Sequence, residues 1–461
     1  MRIGRYEIRG LLGRGGMGAV YKAAMPVTGR MVALKALKPA DILLDTVGRD
    51  ALKGMFLAEA ATMARISHPN VAGVLDVDQG TERTPPHFTM EYYCGNLGAL
   101  MGETYEAERP SRRIGPATAL RLTRQMLHGL DRLHYEGIVH RDVKPFNVML
   151  SGDEGGPGTV RLIDFGLSRL RGERAPRHPG MVVGSPWYAA PEQEADPDSA
   201  DARADLYSVG VTLYRMLTGR LPEPGGAWTP PATDHELSGP DWEGFFARAL
   251  APRPQDRFAD AQAMLDALDR IGADWQAARD AACSLDEAPD EPARHVAAHP
   301  AQARSAPVKV GARQAQGFFG LDELWRPPGS APAVFIDRGD GTVHQPGPDG
   351  RTGGLVWERH GSRYPLTWEG AHAHARRLDR GAYGGRTGWR LPTVDELAAL
   401  FGRAAHPGLS CQAPVFDPRK ARLWSADTKA FTAAWYADAE LGYIDWQDRT
   451  CRFFARAVCP A

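Results

Sequence analysis

The sequence predicts an α+β chain of two unequal folded domains, and three observations carry that prediction. Its 461 residues exceed what one hydrophobic core supports, since cores stop growing at roughly 250–300 residues. From Tyr6 to about Ile271, short β-rich runs give way to long helical patterns. Residues 276–316 are rich in Ala, Pro and charge and nearly empty of large apolar side chains, and Trp and Phe then return over 317–461. A stretch of that composition cannot offset its ordering entropy by burial. It reads as a flexible linker between a first domain (1–275) and a second, smaller α+β domain (317–461).

Composition narrows the function classes. The chain is 43% hydrophobic and 24% charged, as ordinary globular proteins are, and 55 Lys/Arg against 56 Asp/Glu leave it almost neutral. Neither nucleic acid nor an anionic membrane is indicated as a partner. The start, MRIGRYEIRGLLGRGG, lacks a continuous apolar stretch, and no run approaches the roughly 18–20 residues of a membrane span. The expectation is a soluble, cytoplasmic protein. Five cysteines, an odd number without C-x-x-C spacing, suggest neither a disulfide framework nor a zinc site. They are expected as reduced thiols.

The first hundred or so residues predict a small β-rich lobe with one helix. YEIRGLLG and AVYKAAM flank a Gly-rich turn as two strands of a hairpin, and MVALKAL is a third strand. Leu52, Phe56, Glu59, Met63 and Ile66 recur at helical spacing, so Glu59 shares the inward stripe. From about Gly115 helices dominate, as in ATALRLTRQMLHGLDRLHYEG with Gly137 at its close.

The turn between the first two strands, Leu12-Gly13-Arg14-Gly15-Gly16-Met17-Gly18-Ala19-Val20, is G-x-G-x-x-G-x-V. A strand-to-helix setting would indicate a dinucleotide fold, whereas a hairpin tip without side chains folds over nucleotide phosphates. Lys35 ends the apolar run Val32-Ala33-Leu34, fifteen residues after Val20. A lysine there is costly unless anions meet it, and Glu59 with phosphates would supply them. Read singly, the glycines also fit a flexible turn and Lys35 a solvated edge strand.

The segment Val139-His140-Arg141-Asp142-Val143-Lys144-Pro145-Phe146-Asn147 removes that ambiguity. Phosphoryl transfer to a hydroxyl needs a carboxylate for the proton, a cation for the phosphoryl group and an oxygen ligand for Mg²⁺. Asp142, Lys144 and Asn147 provide these within six residues, and Asp164-Phe165-Gly166 follows seventeen residues after Asn147 with a second candidate Mg²⁺ ligand.

This ordered set resembles the bacterial Hanks-type (eukaryotic-like) Ser/Thr protein kinases, from Tyr6 to about Ile271. The resemblance implies a bilobal protein kinase fold, ATP and Mg²⁺ as cofactors, and a protein with Ser/Thr acceptors as substrate. It implies that Lys35 pairs with Glu59, that Asp142 is the catalytic base, and that Asn147 and Asp164 hold magnesium. Met90 would be the gatekeeper, and backbone groups of Glu91 and Tyr93 would hydrogen-bond adenine between Val20, Ala33 and Met149. Glu192 would pair with Arg257, and Asp205 would brace the catalytic loop. Lys144 marks the Ser/Thr class. Intact Lys35, Asp142, Asn147 and Asp164 favour an enzyme over a scaffold.

One departure stands out. Between Asp164 and Glu192 the hydroxyl side chains are Ser168, Ser185 and Tyr188, so the usual mid-loop phosphorylation site is missing. Arg169, Arg171, Arg174 and Arg177 stand there against Glu173, either as a solvated basic loop or as a seat for an acidic segment.

In the second domain, Phe335-Ile336-Asp337 and Thr342-Val343-His344 flank a hairpin turn, and Gly354–Glu358 is the next strand. Thr367 caps one helix; Thr393 with Glu396 forms a capping box at another. The phrases GLVWER, LTWEGAHAHARRL and GWRLPTVDELAALF resemble the Lcl C-terminal-type domain, related to the C-type-lectin fold, which implies a partner-recruiting or ligand-sensing module. The WRLPT phrase is shared with formylglycine-generating enzymes, but paired catalytic cysteines are lacking. Asp337 and Asp340 could bind calcium, but the hairpin turn explains them without a metal; Cys411, Cys451 and Cys459 could form a metal site or a disulfide, but are expected as buried free thiols; His372 and His374 have no evident ligand partner.

Overall fold

The computed structural model describes residues 1–15, 17–104, 106, 109–151, 158–164, 186–195, 200–223, 237–283, 303–327, 334–347, 354–401 and 413–461. The small lobe contains β1 (Arg2–Ile3), β2 (Tyr6–Arg14), β3 (Gly18–Ala24), β4 (Met31–Leu37), α1 (Asp41–Val47), α2 (Arg49–Arg65), β5 (Val74–Asp78) and β6 (His87–Glu91). The strands form an antiparallel sheet in the order β1-β2-β3-β4-β6-β5. Opposite residues of an antiparallel ladder share a face. Val20 faces Lys35, Lys22 faces Ala33, and Ala33 faces Met90, so these five side chains belong to one face of the sheet. Helix α2 buries Leu52, Phe56, Glu59, Ala60 and Met63, the stripe expected from their spacing.

The large lobe holds β7 (Gly95–Asn96), α3 (Leu97–Met101), α4 (Pro116–Tyr135), β8 (Val148–Ser151), β9 (Thr159–Leu162), α5 (Pro191–Ala195), α6 (Ala202–Thr218), α7 (Trp242–Ala249) and α8 (Ala261–Cys283). Pro116 opens α4, where its missing N–H costs nothing. Helix α6 is buried almost all round from Ala204 onward and forms the lobe's centre. The short strands make a separate sheet, β7-β8-β9.

The C-terminal domain comprises α9 (Ala312–Phe319), β10 (Ile336–Asp337), β11 (Thr342–Pro346), β12 (Gly354–Glu358), α10 (Trp368–Arg380), α11 (Val394–Ala398), β13 (Arg422–Ala430), β14 (Ala433–Asp438), β15 (Tyr443–Asp448) and β16 (Val458–Pro460). Two antiparallel sheets result, β10-β11-β12-β16 and β13-β14-β15. The expected caps form at Thr367 and at the Thr393/Glu396 box.

Two expectations need correction. The stretch 276–316 is not a linker throughout, because α8 continues to Cys283 and the chain from Arg304 onward is built into the C-terminal domain. Val308 and Val310 exchange backbone hydrogen bonds with Thr428, and Trp435 donates its indole N–H to the Val310 carbonyl at 3.1 Å. Asp427, wholly buried, accepts from both terminal nitrogens of Arg304 at 2.9–3.0 Å and from the Val308 and Val394 amides at 2.7 Å. A buried carboxylate requires such donors, and polar composition alone did not reveal them. Residues 284–302 lie outside the described residues.

The cysteines are not all reduced thiols. Cys94 and Cys451 are joined by a disulfide with their Cα atoms 5.9 Å apart. Cys459 is a buried free thiol, and Cys411 lies outside the described residues. The pairing sets the C-terminal domain directly against the first domain.

Candidate active site

The ladder and the stripe on α2 converge on Lys35. Its ammonium donates to Glu59 Oε1 at 3.0 Å and to Asp164 Oδ1 at 3.3 Å. Burial alone would pull the Lys35 pKa down; the Asp164 and Glu59 carboxylates outweigh it and hold the group above the ordinary lysine value.

On the opposite side of the cleft, the Asp142 carboxylate accepts from Lys144 Nζ at 2.9 and 3.1 Å and from Asn147 Nδ2 at 2.8 Å. A 3₁₀ turn, Pro145–Asn147, brings Asn147 back to Asp142, whose carbonyl also receives Nδ2 at 2.8 Å. With Nδ2 committed there, Oδ1 is the amide atom left to face a cation. The Asn147 carbonyl accepts the Ile163 amide at 3.1 Å, which ties this loop to the strand leading to Asp164.

The loop backbone is unusual at two positions. Arg141 has φ 62° and Asp164 φ 59°, left-handed conformations that cost a non-glycine residue about 1–2 kcal/mol. Asp205 at the start of α6 over-determines the first. Its enclosed carboxylate accepts from the His140 amide (2.8 Å), the Arg141 amide (2.7 Å) and His134 Nε2 (2.8 Å). Gln193 adds a bond to the Arg141 carbonyl at 2.9 Å. Sequence reasoning missed His134 and Gln193; position next to Glu192 was the one available signal for the latter.

In the Gly-rich turn, the glycines differ in what they require. A Cβ on Gly18 would lie 2.3 Å from the Ala36 carbonyl oxygen, so packing excludes a side chain there. At Gly13 and Gly15 a Cβ would meet nothing within 4 Å, so the turn leaves open space at these positions. Gly16 is outside the described residues; Leu12, Arg14, Met17 and Ala19 lie on or beside the hairpin, and Val20 and Ala33 are on the cleft face. Met149 is on β8 of the opposite lobe, Glu91 ends β6, and Tyr93 lies in the connection that follows. Met90 is buried beside Ala33 on the same face of the sheet. Glu192 and Arg257 form a bidentate pair. Phe165, Gly166, Ser168, Ser185 and the four loop arginines are outside the described residues, whereas the Tyr188 hydroxyl donates to Glu103 at 2.9 Å.

Residues 6–233 match the protein kinase domain family. This part of the chain is a protein kinase domain. Serine/threonine-protein kinase PksC of Streptomyces coelicolor is 36% identical over 294 residues, 60% of this chain and 50% of that protein. Serine/threonine-protein kinase Pkn1 of Myxococcus xanthus is 34% identical over 282 residues, 58% of this chain and 38% of that one. The crystal structure of the Mycobacterium tuberculosis PknI kinase domain aligns at 27% identity over 59% of this chain and 98% of its own, with a TM-score of 0.41. The chain thus spans half or less of these two curated relatives. Residues 349–459 match the Lcl C-terminal domain family.

The kinase domain's donor set fits a hard divalent cation. Asn147 offers an amide oxygen and Asp164 a carboxylate, ligands that suit Mg²⁺ better than a softer metal. Among the described residues no three His, Cys, Asp or Glu side chains gather as a cage. Phosphate and water oxygens would complete the shell. In the C-terminal domain, Asp340 accepts from Thr342 within the turn and Asp337 pairs with Arg359 at 3.0 Å. His374 donates from Nε2 to Glu358 at 3.0 Å, with Arg377 on its other nitrogen. His372 packs edge-on against Trp368, ring centroids 4.2 Å apart.

Proposed function

We propose that this chain is a serine/threonine protein kinase that transfers the γ-phosphoryl group of ATP, with Mg²⁺, to Ser/Thr hydroxyls of a protein in cytoplasmic signalling. The observation that carries the reading is the pair of clusters, Lys35 with Glu59 and Asp164, and Asp142 with Lys144 and Asn147, linked by the Ile163 amide on the Asn147 carbonyl. Lys35, fixed by Glu59, orients the nucleotide phosphates. Asp142 orients the acceptor hydroxyl and takes its proton, while Lys144 beside it balances charge on the group in flight. Val20, Ala33 and Met149 enclose adenine, which hydrogen-bonds the backbone of Glu91 and Tyr93; residues Leu12–Val20 cover the phosphates. Asn147 and Asp164 would hold Mg²⁺, which when bound would supply charge neutralisation to the phosphates.

The C-terminal domain contributes none of these groups, which supports a separate partner-recruiting or ligand-sensing role. Its two sheets flanked by α10 and α11 support a C-type-lectin-like relationship. Among the described residues no helix is long and apolar enough to cross a membrane. Incubation of the purified chain with labelled ATP, Mg²⁺ and a general protein substrate tests the activity. Phosphoserine or phosphothreonine is expected on hydrolysis. Phosphotyrosine alone, or no transfer, overturns the reading.

A further inference from the structure

The C-terminal domain touches both lobes of the kinase domain and the connection between them. From the small lobe, Lys22 on β3 is almost completely buried, and its ammonium pairs with Asp448 at 2.6 Å and donates to the Thr450 hydroxyl at 2.5 Å. The same ammonium lies 4.9 Å from the centre of the Tyr92 ring in the interlobe connection. Two residues on, Cys94 is bonded to Cys451, and the Gln447 side chain donates to the Cys94 carbonyl. From the large lobe, Arg112 donates to the Leu324 carbonyl at 3.0 Å and stacks 3.7 Å from the centre of the Tyr443 ring. The C-terminal domain is therefore fastened at three points across a joint that the chain crosses at Glu91–Gly95. Rotation of one lobe against the other would disturb the contacts of Lys22 or of Arg112, both almost fully buried, and stranding either charge is unfavourable.

We propose that Cys94 and Cys451 are a thiol–disulfide switch that fastens the C-terminal domain as a clamp across the two lobes and so strengthens nucleotide binding. The inference rests on the kinase reading of the cleft, which the clamp holds with Lys35 on Glu59 and Asp164. A nucleotide binds more tightly to a cleft already set than to one populating that arrangement part of the time. Cys94 is half-buried and Cys451 buried, so exchange starts at Cys94. A low-molecular-weight disulfide RSSR is attacked by the Cys94 thiolate, releasing one RSH; the Cys451 thiolate then attacks the Cys94 sulfur of the mixed disulfide and releases the second. Two protein thiols are oxidised by two electrons, RSSR is reduced, and both protons leave with the two RSH. A dithiol reductant reverses the step. Disulfides in reducing compartments are characteristically transient and sensory, which accords with this use.

The test uses the full chain equilibrated in a low-molecular-weight thiol/disulfide buffer, with peptide mapping of the bond, calorimetric MgADP affinity and hydrogen exchange. The expected result is one bond, Cys94 to Cys451, and at least a roughly threefold loss of MgADP affinity on reduction. Cys94→Ser should match the reduced protein and no longer respond to the buffer. Asp448→Asn should still form the bond yet move affinity toward the reduced value, which covers the case in which a cysteine variant folds poorly. Failure to map the bond, or equal or tighter MgADP binding on reduction, overturns the proposal. If neither state binds MgADP, the kinase reading fails, and the clamp is judged on exchange alone. Faster exchange at Tyr92–Gly95 on reduction then supports it, and unchanged exchange sinks it.

Discussion

Arg257 places both terminal guanidinium nitrogens 2.7 Å from the Glu192 carboxylate oxygens, and its side chain is completely enclosed. Its Nε is bound as well, to the Ala251 carbonyl at 2.7 Å. Removing one partner of such a pair leaves an uncompensated buried charge. Arg257→Ala should therefore lower stability by about 3–5 kcal/mol, measured by urea denaturation of the full chain. A loss within the range of ordinary surface substitutions would show that Glu192 finds solvent instead.

Asp142→Asn and Lys35→Met should each cut phosphoryl transfer by about 10²-fold or more, because on the proposed reading each removes a group acting on the reacting atoms. Circular dichroism should remain that of the wild type. Retention of most activity in either folded variant contradicts the roles given to these residues.

Activity should not depend on phosphorylation in the middle of the segment between Asp164 and Glu192. Between Ser168 and Ser185 no hydroxyl exists to be modified. Phosphatase-treated enzyme should start at its full rate without a lag. A lag that ends as Ser168 or Ser185 gains phosphate would refute this.

Stability should depend on pH through His372. Burial, and next the charges of Arg376 and Arg449, lower its pKa from 6.5 to about 4. Between those values the unfolded chain binds more protons than the folded one, so stability rises with pH across that window and falls away on acidification. In His372→Gln the drop in melting temperature from pH 7 to pH 4.5 should be smaller than in the wild type. An identical drop means that other groups dominate.

The elements that positioned the active site were readable because their causes are local. The Gly-rich hairpin, the stripe bearing Glu59, the turn joining Asp142 to Asn147 and the Thr393/Glu396 box are each set by neighbours within one or two turns of chain. The docking of the domains was not readable. Lys22 meets Thr450 across 428 positions and Cys94 meets Cys451 across 357, and no spacing rule reaches that far. Arg304 looked like one more polar residue of a linker until Asp427, from a strand far along the chain, supplied its counter-charge. An odd cysteine count likewise argued against pairing without excluding a single bond.

The disulfide and the salt bridge at Asp448 also change what backbone continuity means for this protein. A chain nicked once by a protease anywhere in 284–302 should remain a single particle of unchanged size, because its halves stay covalently joined at Cys94 and Cys451 and packed around them. On a denaturing gel it should run as one band without reductant and as two with it. Such a nicked form is a two-chain protein, in which thiol chemistry rather than the peptide bond decides whether the halves stay covalently joined.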